Sequence, residues 1–192
     1  MKKEDLDKID IDEFIDSEMN PLIELFWQRF NNRYFNQIEI LEKNSKKEIR
    51  INCGFLMTSV DCILIETLEQ FYAGTDESKV STQQVYQIFF SRDEELKKII
   101  KNQKDAGIFA GFVRSGLLHQ SKTKSETKIN IKKTTPIIEW IDEKTPNKGF
   151  LINRNLFHKH VRKEFEKYID KLKLKEEKKL REGFIKKMKT LM

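Results

Sequence analysis

Residues 50–73, RINCGFLMTSVDCILIETLEQFYA, constrain the fold of this chain more than any other stretch. Cys53, Leu56, Met57, Val60, Ile63, Leu64, Thr67, Leu68 and Phe71 recur at steps of three and four, the period of one face of an α-helix. Phe55, Cys62, Ile65 and Tyr72 make a second apolar stripe. A helix apolar on two sides belongs at the centre of a helical domain. Cys53 and Cys62 lie nine residues apart; that step turns a helix by ~900° and points them to opposite sides. They read as buried free thiols.

The neighbouring segments predict further helices. Residues 21–44 open on Pro21, which suits a first helical turn, and Leu22, Leu25, Phe26, Arg29, Phe30 and Arg33 follow helical spacing. Residues 43–48 and 74–80 read as loops. Ser81 to Gln84 and Ser91 to Glu94 have the form of capping boxes, in which a hydroxyl and a carboxylate or amide three residues on satisfy each other's backbone donors. They predict short helices over 82–90 and 92–101, and a further helix follows over 103–118. The period then changes to alternation at 124–131 and 137–141, with a short apolar run at 149–152 and Pro136 and Pro146 at turns. This predicts a small antiparallel β element of two or three strands. A long helix starts near Asn155 with the stripe Phe157, Val161, Phe165, Tyr168 and Leu172. Residues 173–192 are expected to fray.

Composition agrees with a mainly α domain. The chain has 192 residues, with only 7 Gly and 3 Pro against 14 Phe; so few turn residues disfavour an all-β fold, and so many aromatics disfavour disorder. No apolar run approaches the ~20 residues of a membrane helix, and the start lacks the apolar core of a signal peptide, so a cytoplasmic protein is expected. The formal charge of +6 is uneven: eight acids against three lysines make residues 1–18 −5, leaving +11 elsewhere. Residues 1–20 read as an acidic extension, 21–172 as the helical domain with a β insertion near 124–152, and 173–192 as a basic helix end. Part of the positive excess is Lys122, Lys124, Lys128, Lys132 and Lys133, a pattern suited to phosphate contacts or simply to a solvated hairpin tip.

The helix at 103–118 carries Gly107, Gly111 and Ser115 four apart, flanked by Ala106 and Ala110. Glycine inside a helix costs about 1 kcal/mol relative to Ala, and small residues at this interval let another backbone approach. Close packing within one subunit and a tight crossing between two subunits both answer to it. The stripe leads into Arg114-Ser-Gly-Leu-Leu-His119.

RSGLLHQ at 114–120 resembles the motif of the HEPN superfamily, an Arg followed at a short interval by a His at the end of an amphipathic helix. The apolar helix with embedded acids, SVDCILIETLEQFY at 59–72, the lysine-bearing turn after His119 and the small strands before a last helix are also similar, over roughly residues 50–170. The resemblance implies a HEPN-like helical bundle, a metal-independent endoribonuclease of toxin–antitoxin or antiphage systems, and RNA cleavage to a 2′,3′-cyclic phosphate at a site shared across a homodimer. It implies Arg114 and His119 as catalytic residues, with Ser115 where the family often has Asn, Asp or His. Glu66 is the implied helper acid, with Asp61 as its rival; a structural salt bridge with Arg29 or Arg33 is the other reading of these acids.

The chemistry suits those residue types. Attack of a ribose 2′-OH on phosphate needs one proton removed and one delivered, which a histidine can do near neutral pH. A guanidinium stabilises the charge that builds on the phosphoryl oxygens. Five residues of regular helix turn by ~500°, so Arg114 and His119 share no face; either the helix ends near Gly116 or the site is composite. The homodimer is expected through the 103–119 helix, with Lys122, Lys124 and Lys128 as RNA-binding residues and an antitoxin as a further partner. No cofactor or metal is implied, and no Cys/His spacing resembles a zinc site. The alternative function is a non-catalytic HEPN-like module that binds RNA or protein.

Overall fold

The computed structural model describes residues 20–75, 80–132 and 134–191; the acidic segment 1–19 and Lys133 lie outside them. The fold is mainly helical with one small sheet. In chain order the elements are α1 (Asn20–Phe30), a π-helical turn (Asn31–Phe35), α2 (Asn36–Glu42), α3 (Lys47–Asn52), α4 (Gly54–Ala73), α5 (Thr82–Ser91), α6 (Leu96–Ile99) and α7 (Gln103–Phe109). A second π turn (Ala110–Arg114) leads to α8 (Ser115–Gln120), then β1 (Lys128–Asn130), β2 (Ile138–Trp140), β3 (Phe150–Asn153), α9 (Arg154–Lys173) and α10 (Lys178–Leu191). No described helix is long and apolar enough to cross a membrane.

Helix α4 is central. Met57, Cys62, Leu64, Ile65, Leu68 and Phe71 are fully buried. Burial pushes the Cys62 thiol up to about 12, so it stays protonated and unreactive. Helix α9 runs parallel to the end of α3 and to α4, joined to them at three levels. Arg154 Nη1 donates to Ile51 O (3.1 Å), His158 Nδ1 meets Asp61 Oδ1 (2.7 Å), and Tyr168 Oη donates to Phe71 O (3.2 Å). Helix α1 and its continuation run the other way: Phe26 packs edge-on to Phe71, Phe30 lies on Phe165, and Phe35 lies beside His158.

Phe35 follows Phe30 by five residues, which regular α-helix would place ~140° away. The π turn absorbs the extra residue, closed by Asn36 N–H donating to Asn31 O, and Phe35 rejoins the buried face. Only part of the predicted α4 stripe is buried: Phe55, Leu56 and Ile63 face outward.

Three expectations are corrected. The sheet is mixed, with order β1-β3-β2: β1 pairs with β3 in parallel and β2 with β3 antiparallel. Alternation marks a strand but not its direction, and the fully buried Phe150 and Ile152 make β3 the middle strand. The predicted box at Ser91 is absent, because Ser91 ends α5 and its hydroxyl donates to Ile88 O (2.7 Å). Asp93, in the turn before α6, accepts from Glu95 N and Leu96 N instead; the box at Ser81 and Gln84 forms as expected. The expected fraying of residues 173–192 does not hold over 178–191, which form a packed helix, while Met192 lies outside the described residues. Helix α10 buries Phe184, Ile185 and Met188, and Gly183 lies against Gly74, where a Cβ on Gly74 would stand 2.5 Å from Gly183 Cα. Gly74 also takes a left-handed φ of 63° to end α4.

Two predictions follow from this packing. Phe184→Ala is expected to destabilise the fold by about 3–5 kcal/mol in urea unfolding, the cost of a large buried aromatic; a change under about 1 kcal/mol would show that α10 is peripheral. Burial holds the His160 imidazole below its ordinary value of 6.5, partly offset by Glu164 and Asp93. The folded state thus excludes a proton that the unfolded chain takes up, so this stabilisation is present above pH 6.5 and lost as pH falls below it. His160→Phe should flatten the decline in urea midpoint between about pH 7 and about pH 5.5; an unchanged slope would refute it.

Candidate functional site

The motif helix begins at Asn102, whose Oδ1 accepts from Asp105 N at 3.0 Å. It packs α7 on α5, where a Cβ on Gly107 would meet the Gln83 side chain at 3.0 Å. It passes through the π turn that ends at Arg114, with Ser115 N–H bonded to Ala110 O. Helix α8 then continues to Gln120 and is closed by Ser121 in a left-handed conformation, with Ser121 N–H donating to Leu117 O and Lys122 N–H to Gly116 O. The following loop folds back over the helix. Lys124 N donates to Phe112 O at 2.8 Å, and a Cβ on Gly116 would fall 2.5 Å from Lys122 O. Gly116 is therefore small for a reason internal to the subunit, whereas Gly107 faces only the movable end of the exposed Gln83 side chain. A Cβ on Gly111 meets nothing within 4 Å.

Arg114 reaches across to α4. Its Nε donates to Glu66 Oε1 at 2.7 Å and its Nη2 to Glu66 Oε2 at 3.1 Å. Tyr86, fully buried on α5, donates its hydroxyl to Glu66 Oε1 at 3.2 Å. Both members of the ion pair keep about a quarter of their side-chain surface, 25% for Arg114 and 26% for Glu66. The paired carboxylate raises Arg114 above its usual range. Burial, with Cys62 and Glu66 nearby, pushes Tyr86 well above its own, so the phenol remains a donor. Arg114 Nη1 has no protein partner among the described residues.

The sequence-predicted residues divide. Arg114 and Glu66 come together, and Glu66 pairs with neither Arg29 nor Arg33. Asp61 is fully buried on the His158 side of α4 and does not join them. Ser115, half-buried, opens α8 beside Arg114. His119 is exposed in the last turn of α8 and makes no hydrogen bond or ion pair among the described residues. Because α8 runs on past Gly116, an early helix end does not bring Arg114 and His119 to one face; they diverge by ~140°. Lys122 and Lys124 lie in the loop against the motif helix, whereas Lys128 begins β1. The residue that sequence reasoning missed is Tyr86. Its only signal was an aromatic in the apolar period of α5, which core packing explains equally well.

A double-mutant cycle on Glu66→Ala and Arg114→Ala should give a coupling of about 1–2 kcal/mol, as for a charge-assisted pair only partly shielded from water. Additive losses would show that the pair does not act as a unit. Comparison with family models, with curated proteins and with solved structures found nothing that matches this chain.

Proposed function

We propose that this chain is a metal-independent endoribonuclease of HEPN type, a toxin or antiphage effector that cuts RNA to a 2′,3′-cyclic phosphate at a site shared across a homodimer. The observation that carries this reading is the posture of Arg114. Glu66 holds the guanidinium through Nε and Nη2, which fixes its plane and leaves Nη1 to meet a phosphoryl oxygen. The exposed His119 supplies the proton transfer. Its divergence from Arg114 on one continuous helix favours a composite site, in which the His of one subunit works beside the Arg of its partner. Ser115 offers a hydroxyl at the same turn, and Lys122 and Lys124 face the RNA backbone.

A homodimer face is supported by Leu56, Ile63 and Leu118, apolar and exposed on α4 and α8, and by the open surface at Gly111. Excess exposed apolar surface around polar residues is a common mark of a protein interface. The second reading, a non-catalytic module that binds RNA or protein, is favoured by the charge of Arg114 being matched by Glu66, so that the pair adds no net charge. An antitoxin partner belongs to the toxin form of the first reading.

The test is cleavage of labelled RNA by purified protein in EDTA. Wild type should cut and leave cyclic phosphate ends, with Arg114→Ala and His119→Ala at least about 100-fold slower. Equal cleavage by all three proteins, or loss of cleavage in EDTA, would sink the proposal. RNA binding without cleavage by all three would favour the non-catalytic module.

A further inference from the structure

The small sheet has an open edge. In the order β1-β3-β2, β1 pairs on one side only among the described residues. A cleft of about 500 Å³ lies between this strand and the junction of α3 with α4. Its wall includes Ile129, Asn130, Ile131 and Lys132 in succession. Ile129 and Asn130 belong to β1, and Ile131 and Lys132 follow just past its end; neighbouring residues of a strand point to opposite faces, so a cleft touching both Ile129 and Asn130 lies along the outer edge of β1. The opposite wall carries Ile51 and Phe55. Ile51, Phe55 and Ile131 are 51%, 44% and 47% exposed, so three of the large apolar side chains left in solvent converge on one groove.

The polar groups of the cleft narrow the occupant. Arg154 lines it, but it is only 2% exposed and each of its nitrogens already donates: Nη1 to Ile51 O at 3.1 Å, Nη2 to Arg50 O, and Nε to Asn155 Oδ1 at 3.2 Å. It braces the wall and is not available to grip a phosphate. No carboxylate lines the cleft, whereas Lys132, just past the end of β1, does, and Lys128 is exposed at the start of β1. An RNA strand would bury the isoleucines against its charged backbone and find Phe55 as the one stacking surface. An extended polypeptide matches every feature: backbone donors and acceptors for the open edge, alternate apolar side chains for the floor, and acidic side chains between them for the lysines.

We propose that this cleft docks an extended segment of a protein partner, alternating apolar and acidic residues, which adds a strand to the free edge of β1. The proposal does not depend on the ribonuclease reading. The probe is a fluorescent peptide of about seven residues alternating isoleucine and aspartate, titrated into the full chain and followed by anisotropy. Saturable binding is expected, weakened at least about tenfold by Ile131→Asp. That residue is exposed, so the far-UV circular dichroism of the variant should match wild type. The same peptide N-methylated at alternate amides should fail to bind, and Lys128→Glu with Lys132→Glu should turn the preference toward a peptide alternating isoleucine and lysine.

The proposal is overturned by any of several results: no saturable binding of the unmodified peptide, an unchanged affinity in Ile131→Asp, or equal binding of the N-methylated peptide. Competition by a labelled oligouridylate that Ile131→Asp abolishes would assign the cleft to RNA instead. Self-association of the chain that the same variant abolishes would assign it to a second copy.

Discussion

Everything else in this fold hangs on the parallel docking of α9 against α4. Its three contacts are of different kinds. At the top a guanidinium holds the carbonyls that end α3; in the middle an imidazole meets a buried carboxylate; at the bottom a phenol caps a carbonyl near the end of α4. Each places a polar atom where an apolar neighbour would not satisfy it, so the two helices are fixed in register as well as in contact. The aromatic column of Phe26, Phe30, Phe71, Phe165 and Phe184 then fills one side. With α9 so placed, the other flank of α4 is left to α5 and α8 and to the pairing of Glu66 with Arg114.

The middle contact is the most demanding. Asp61 is fully buried, and its Oδ2 has no hydrogen-bond partner among the described residues. Burial raises its carboxyl while His158 pulls the other way. A carboxylate in that position is tolerated only while its imidazole stays in place. Glu69 is held in a comparable way by the bidentate Arg92, whose guanidinium also lies 4.0 Å over the Tyr72 ring. The acids embedded in α4 thus serve three different partners across an arc of about 140° of one helix.

How far the sequence could be read follows from what periodicity records. It records that a position is apolar on a helix, which located α4, α9 and the motif helix. It does not record which apolar positions meet another element, and so Leu56 and Ile63 belong to the apolar stripe although both face outward. A π turn leaves no trace in a period of 3.6, so the return of Phe35 to the core was invisible. Helix α10 is hidden by its lysines: Phe184, Ile185 and Met188 dock it together with buried Arg181 and Lys187, while the segment's charge reads as a solvated tail. At the site, Arg114 and Glu66 lie 48 residues apart in sequence; their meeting depends on how α4 and α8 cross, which local pattern does not encode. Alternation likewise marked the strands without fixing their directions.

The π turn at Ala110–Arg114 has a consequence for how this helix can vary. A π turn amounts to one residue inserted into an α-helix. Before it, α7 packs on α5; after it, α8 must keep Gly116 under the Lys122 to Lys124 loop. The insertion acts as a swivel between two docking surfaces that a straight helix would force into a single phase. Straightening this turn into regular α-helix without losing a residue would advance everything after it by ~100°. Arg114 and His119 would then turn away together with their spacing intact, so a descendant could keep the whole RSGLLH string and still lose the geometry that holds it.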